Sequence, residues 1–160
     1  MPFTDYTKYI PKGFEGQVAQ SETPVLRSAT NADSRVIPYG RVVVRGSNDG
    51  EAVMPSSATE TIFGVAIRED LYEESIDGDD GYEQKRRFPY MRRGVVYVVP
   101  EEAVTPADDV YYRHTANGGN TEIGRFRTDG DSSNATQITS ASFLASASAG
   151  DIVPLELNLV

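Results

Sequence analysis

RRGVVYVVPEEAVTPADDVYYR, Arg92 to Arg113, is the stretch on which the fold turns. It runs from a basic corner and a glycine into consecutive apolar residues, then Pro100, an acidic turn and a second short run, Val110 to Tyr112. Apolar residues at consecutive rather than alternate positions, rich in Val and closed by a proline, predict a short strand covered on both faces. Neither end carries an obvious reactive group.

Working outward, the same grammar recurs. VIPYGRVVVRG (36–46) gives a Pro-Tyr-Gly turn and a Val42–Val44 run. TIFGVAIRED (61–70) is a further strand, whose internal glycine predicts a bulge or a close backbone approach. After DVYYR (109–113), ANGGN (116–120) predicts a hairpin loop, because Asn and Gly adopt positive φ cheaply. EIGRFRT (122–128) and TQITSASFL (136–144) read as strands around a DGDSSN loop. In DIVPLELNLV, Leu155, Leu157 and Leu159 alternate with Glu156 and Asn158, the period of a half-buried strand. The best helix candidate, VAQSETPVLRSATNA, is interrupted by Pro24. Seven or eight strands with frequent turns predict an all-β fold, a compact β-barrel or β-sandwich of jelly-roll type.

Residues 1–24 read as an extended N-terminal arm, because Pro2, Pro11, Gly13, Gly16 and Pro24 break regular structure. Its aromatics, Tyr6, Tyr9 and Phe14, pack either on their own domain or on a neighbouring subunit. Residues 25–160 form a single β-domain with an acidic-then-basic insertion at about 69–93.

The bulk numbers narrow the function. The chain has 160 residues, enough for one domain with a real core. A net charge of -9 argues against general affinity for nucleic acid, which demands clustered cations. No cysteine is present, which excludes disulfides, thiolate nucleophiles and Cys-based metal sites. The first residues lack a continuous apolar h-region, and no run approaches the ~20 apolar residues of a membrane helix, so a soluble protein without a membrane partner is expected.

Tests for chemistry come out negative. Glu73, Glu74, Asp77, Asp79, Asp80 and Glu83 crowd LYEESIDGDDGYEQ (71–84), but counting from Asp77 an EF-hand needs Gly where Tyr82 stands and Glu where Phe88 stands. DGDSSN fails similarly, and both read as solvated acidic loops. The single histidine, His114, ends a strand with no nucleophile elbow in the chain, and no phosphate-binding glycine loop is found. Paired carboxylates for glycoside hydrolysis are not testable by spacing, and Trp, the usual sugar platform, is absent. No catalytic residue, metal site or cofactor is therefore assigned. KRRFPYMRR (85–93) stands apart: Arg86, Arg87, Arg92 and Arg93 interleave with Phe88 and Tyr90 in an otherwise acidic chain. The stretch either pairs locally with the acids that precede it or faces a partner, since Arg and aromatic residues are what protein–protein contacts favour; it and the arm are the candidate partner-binding residues.

Taken in order, YGRVVVRG (39–46), IFGVAIRED (62–70), RRGVVYVVPEEAVTPADDVYYR (92–113) and FLASASAGDIVPLELNL (143–159) resemble the structural cement, or head decoration, proteins of tailed bacteriophages. Each motif is short, and their order and spacing over residues 13 to 160 carry the resemblance. It implies a non-enzymatic protein on the capsid exterior of the virion, bridging neighbouring major capsid subunits. It further implies self-association, as a homotrimer rather than a dimer. The alternative from another class is a carbohydrate- or host-receptor-binding β-module of a phage tail or fibre. A hydrolase using His114 or the acids at 77–83 is a third.

Overall fold

A computed structural model describes residues 13–19, 23–69 and 81–159. Among these there is no α-helix, and twelve strands follow one another: β1 (Val25–Asn31), β2 (Ile37–Pro38), β3 (Val42–Arg45), β4 (Glu51–Val53), β5 (Ile62–Ala66), β6 (Gly81–Tyr82), β7 (Arg87–Val98), β8 (Tyr111–Arg113), β9 (Phe126–Arg127), β10 (Ala135–Gln137), β11 (Ala141–Phe143) and β12 (Val153–Asn158). The count exceeds the expected seven or eight because several predicted runs divide. TQITSASFL yields β10 and β11, broken where the Ala141 amide turns back to the Ile138 carbonyl.

The principal sheet runs β1-β4-β3-β5-β7-β12-β11, and β1 also pairs with β7. That second pairing closes β1, β4, β3, β5 and β7 into a five-stranded barrel. Closure leaves none of these five strands a bare edge, the usual liability of a lone β-domain. The β1–β4 pair is parallel and the other ring pairs are antiparallel. A small sheet, β10-β8-β9, and the β2–β6 pair complete the fold.

β7 is the spine. Met91 stands opposite both Leu26 and Val65, Arg93 opposite both Val25 and Asn158, and Val96 opposite both Val18 and Leu155. One edge of β7 therefore takes β1 and the segment around Val18, and its other edge takes β5 and then β12. The basic stretch expected within an insertion is the first half of this strand, part of the barrel wall.

Two cores flank the wall. Val43, Ala66, Phe88 and Tyr90 belong to one cluster, while Val42, Val65, Met91, Val96 and Val98 belong to the other. Successive residues of β3, β5 and β7 thus bury on opposite sides, the arrangement that consecutive apolar positions predict. β12 alternates strictly, with Val153, Leu155 and Leu157 buried and Glu156 and Asn158 exposed. Each such aliphatic side chain contributes about 1.5–3 kcal/mol on burial. Gly64 meets its expectation twice: the β3–β5 register slips opposite it, and a Cβ there would lie 2.1 Å from the Met91 carbonyl oxygen.

Candidate contact surface

The cationic half of β7 displays its residues by strand alternation. Arg87 and Arg93 are exposed, as is Arg86 just before the strand. The Arg87 guanidinium donates twice to Ser28 Oγ, at 3.0 and 2.7 Å, which fixes it against the outer face of β1. Arg92 is half-buried and donates to the Leu159 carbonyl at 2.5 Å, tying the end of the chain to the spine. Phe88 and Tyr90 correct the sequence reading. They are 1% and 5% exposed, Phe88 stacked on Tyr82 at 5.1 Å and Tyr90 on Phe63 at 5.4 Å. Placed between outward residues on a twofold period, they point into the barrel and serve its core rather than a partner.

The arm is described from Gly13. Gly16 donates to the Tyr97 carbonyl at 2.7 Å and accepts from the Arg68 amide at 2.7 Å, while Ala19 donates to Val95 at 2.9 Å. This root therefore extends the line of β1 along β7. Glu15 pairs with the buried Arg41 guanidinium at 3.4 Å, and Arg41 also binds Glu122. Burial pushes the Glu15 carboxyl upward, against the nearby arginines that favour its charge. Phe14 remains 61% exposed, with the Arg68 guanidinium 5.5 Å from its ring centre and 5.2 Å from that of Tyr39. Tyr6, Tyr9 and the acids at 71–80 lie outside the described residues.

Sequence reading missed the most buried charges. Arg113 is fully buried and makes a forked pair with Glu101, at 2.6 and 2.9 Å. It donates also to Asp131 at 2.7 Å and to the Thr115 carbonyl at 2.9 Å. Arg127 donates to Glu101 at 3.0 Å and to Asp129 at 2.6 Å. Hydrogen bonding from Arg113 is the main cause holding the Asp131 carboxyl below its usual range. This network joins β8, β9, the turn after β7 and the 3-10 turn Asp131–Ser133, so the acidic turn of the opening stretch is a structural lock. The only hint in the sequence is that arginines fall within apolar strands, where a charge must be paired.

His114 is likewise buried, 6% exposed, with Nδ1 against Thr115 Oγ1 at 2.9 Å and no partner on Nε2. Burial is the leading cause lowering its pKa, ahead of an opposing pull from Glu60. Among the described residues no group of three or more His, Cys, Asp or Glu side chains is placed to hold a metal ion.

A family model described as structural cement protein (E217 gp24/Pam3 gp6) matches residues 1–158. The solved structure "The capsid of Myoviridae Phage XM1" contains a similar chain, with a TM-score of 0.73 at 18% identity, covering 96% of this chain and 94% of that one. A second, "The crystal structure of head fiber gp8.5 N base in bacteriophage phi29", has a TM-score of 0.45 at 13% identity, covering 86% and 96%. No curated protein matches the sequence.

Proposed function

The chain belongs to the structural cement protein family of phages, and from that premise we propose that it binds the outer face of the capsid and bridges neighbouring major capsid subunits, stabilising the head without catalysis. In this reading it acts as a homotrimer. A structural role on the virion capsid follows from the family. The finer statement is supported chiefly by the cationic half of β7. Arg87 and Arg93 are exposed on the closed wall, and Arg86 just before it, in a chain of net charge -9. A fixed backbone keeps the ordering cost of such a contact low. Many modest contacts repeated over a lattice then sum by multivalency.

The arm supplies the second contact, through Tyr6, Tyr9 and the exposed Phe14. Its root is clamped by Glu15, Gly16 and Arg68, so a pull on the arm is carried straight into β7. Reversing Arg86 and Arg87 to Glu tests the surface. Capsid occupancy is expected to fall at least tenfold, with the melting temperature of the free protein within a few degrees of wild type. Unchanged occupancy would remove these residues from the interface.

A further inference from the structure

We infer that the Arg68 guanidinium, set between the rings of Phe14 and Tyr39, receives one exposed carboxylate, Asp or Glu, of the capsid subunit that this chain binds. The inference rests on the capsid-binding reading above and names a contact within it. Three segments meet here: the root of the arm, the turn between β2 and β3, and the residues just after β5. The guanidinium carbon of Arg68 lies over both rings, 5.5 Å from the centre of Phe14 and 5.2 Å from that of Tyr39. Both distances fall within the ~6 Å over which an aromatic face attracts a cation.

Each part of this seat is held in place. The Phe14 amide donates to Gln17 Oε1 at 3.0 Å, and the Phe14 carbonyl accepts from the Gln17 amide at 3.0 Å. The exposed ring therefore stands on a closed turn. Tyr39 meets the buried Tyr82 edge to face, with ring centres 5.1 Å apart. The Arg68 amide donates to the Gly16 carbonyl, and a Cβ on Gly16 would lie 2.8 Å from Tyr39 Cβ. Arm root, turn and the end of β5 are thus locked together. A fixed aromatic ring that stays exposed is an anchor whose counterpart lies on another molecule.

The ligand follows from what the guanidinium lacks. Among the described residues no carboxylate or carbonyl accepts from it. Glu15, the arm's own acid beside Phe14, is turned instead to Arg41 at 3.4 Å. A guanidinium that lies over two rings spends its faces on them and leaves its N–H edge for a partner. A carboxylate matches that edge with two parallel hydrogen bonds, and stacking lowers the ordering cost of forming them. The charge balance selects among anions. A chain of net charge -9 repels a polyanion such as nucleic acid, whose binding needs clustered cations. One carboxylate needs only this fork, with the Phe14 ring covering apolar surface beside it and keeping water from the pair.

The test uses the full-length protein and shells that lack it. Arg68→Gln is expected to weaken shell binding roughly tenfold or more, and Phe14→Ala roughly threefold or more, with each variant melting within a few degrees of wild type. Arg68→Lys keeps a cation but loses the fork. Added at a concentration that fills the shell and treated with a carbodiimide, its amine is expected to form an amide with an Asp or Glu of the capsid subunit. Mass spectrometry of the linked peptide locates that residue. Shell binding by Arg68→Gln equal to that of wild type overturns the inference. No link to the capsid subunit, or a link only to Glu69 or to a second copy of this chain, does so too. Wild-type protein that fails to bind shells overturns the capsid reading and this contact with it, whereas intact wild-type binding with Arg68→Gln unaffected overturns this contact alone.

Discussion

Glu101 accepts hydrogen bonds from Arg113 and Arg127, and both arginines are almost wholly out of water. Glu101→Gln keeps the shape and removes the charge, leaving two buried cations to share outer carboxylates. Breaking a buried pair from one side costs about 3–5 kcal/mol, so a large fall in melting temperature is expected, readable by calorimetry. A loss under about 1 kcal/mol would mean that water reaches the network freely. The acid limb of stability should carry two signatures. Asp131, held low by Arg113, contributes stability that is fully present above its ordinary carboxylate pKa and is lost as pH falls below it, through the depressed folded value. His114 acts higher up the scale. Its folded form resists protonation, so as pH drops below the ordinary 6.5 the unfolded chain takes up the proton first and stability declines. In His114→Gln that decline below about pH 6.5 should flatten, as seen by urea titration at fixed pH values. At this scale the sequence was least legible. EEAVTPAD reads as an acidic turn because the arginines that bury Glu101 arrive 12 and 26 residues later.

β7 shows what was legible and what was not at the scale of elements. Its apolar half was plain as a doubly covered strand, and strict alternation made β12 equally plain. The cationic half was hidden because charge masks a strand pattern. Arg87 and Arg93 face out while Phe88, Tyr90 and Met91 are buried, Tyr90 and Met91 on opposite sides of the wall, and the register with β1 shifts between Met91 and Arg93. TQITSASFL was read as one strand because its apolar positions do not mark the turn at Ile138. Gly64 is where β5 approaches the spine most closely. Gly64→Ala would set a Cβ against backbone, which cannot swing aside, so a loss of about 2–3 kcal/mol is expected. The reading is wrong if the variant melts like wild type. Leu155→Ala, in the core on the other side of β7, should cost a similar 2–5 kcal/mol without altering the surface.

For the whole molecule, a closed barrel with a docked arm root supports the clamping role proposed above. Cement function needs a body that does not yield and contacts placed at its rim. Ring closure through β7 supplies the first; the exposed arginines and Phe14 are candidates for the second. The all-β class and the family resemblance were readable in the sequence, since turn and strand motifs follow one another in order along most of the chain. The barrel was not, because the β1–β7 pairing joins segments about sixty residues apart. The most direct test of the central claim is sedimentation of purified protein with expanded shells that lack it. The account predicts saturable co-sedimentation at a stoichiometry set by the symmetry axes of the lattice, with the unbound protein sedimenting as a trimer. A monomer that stays in the supernatant at every shell concentration would contradict it.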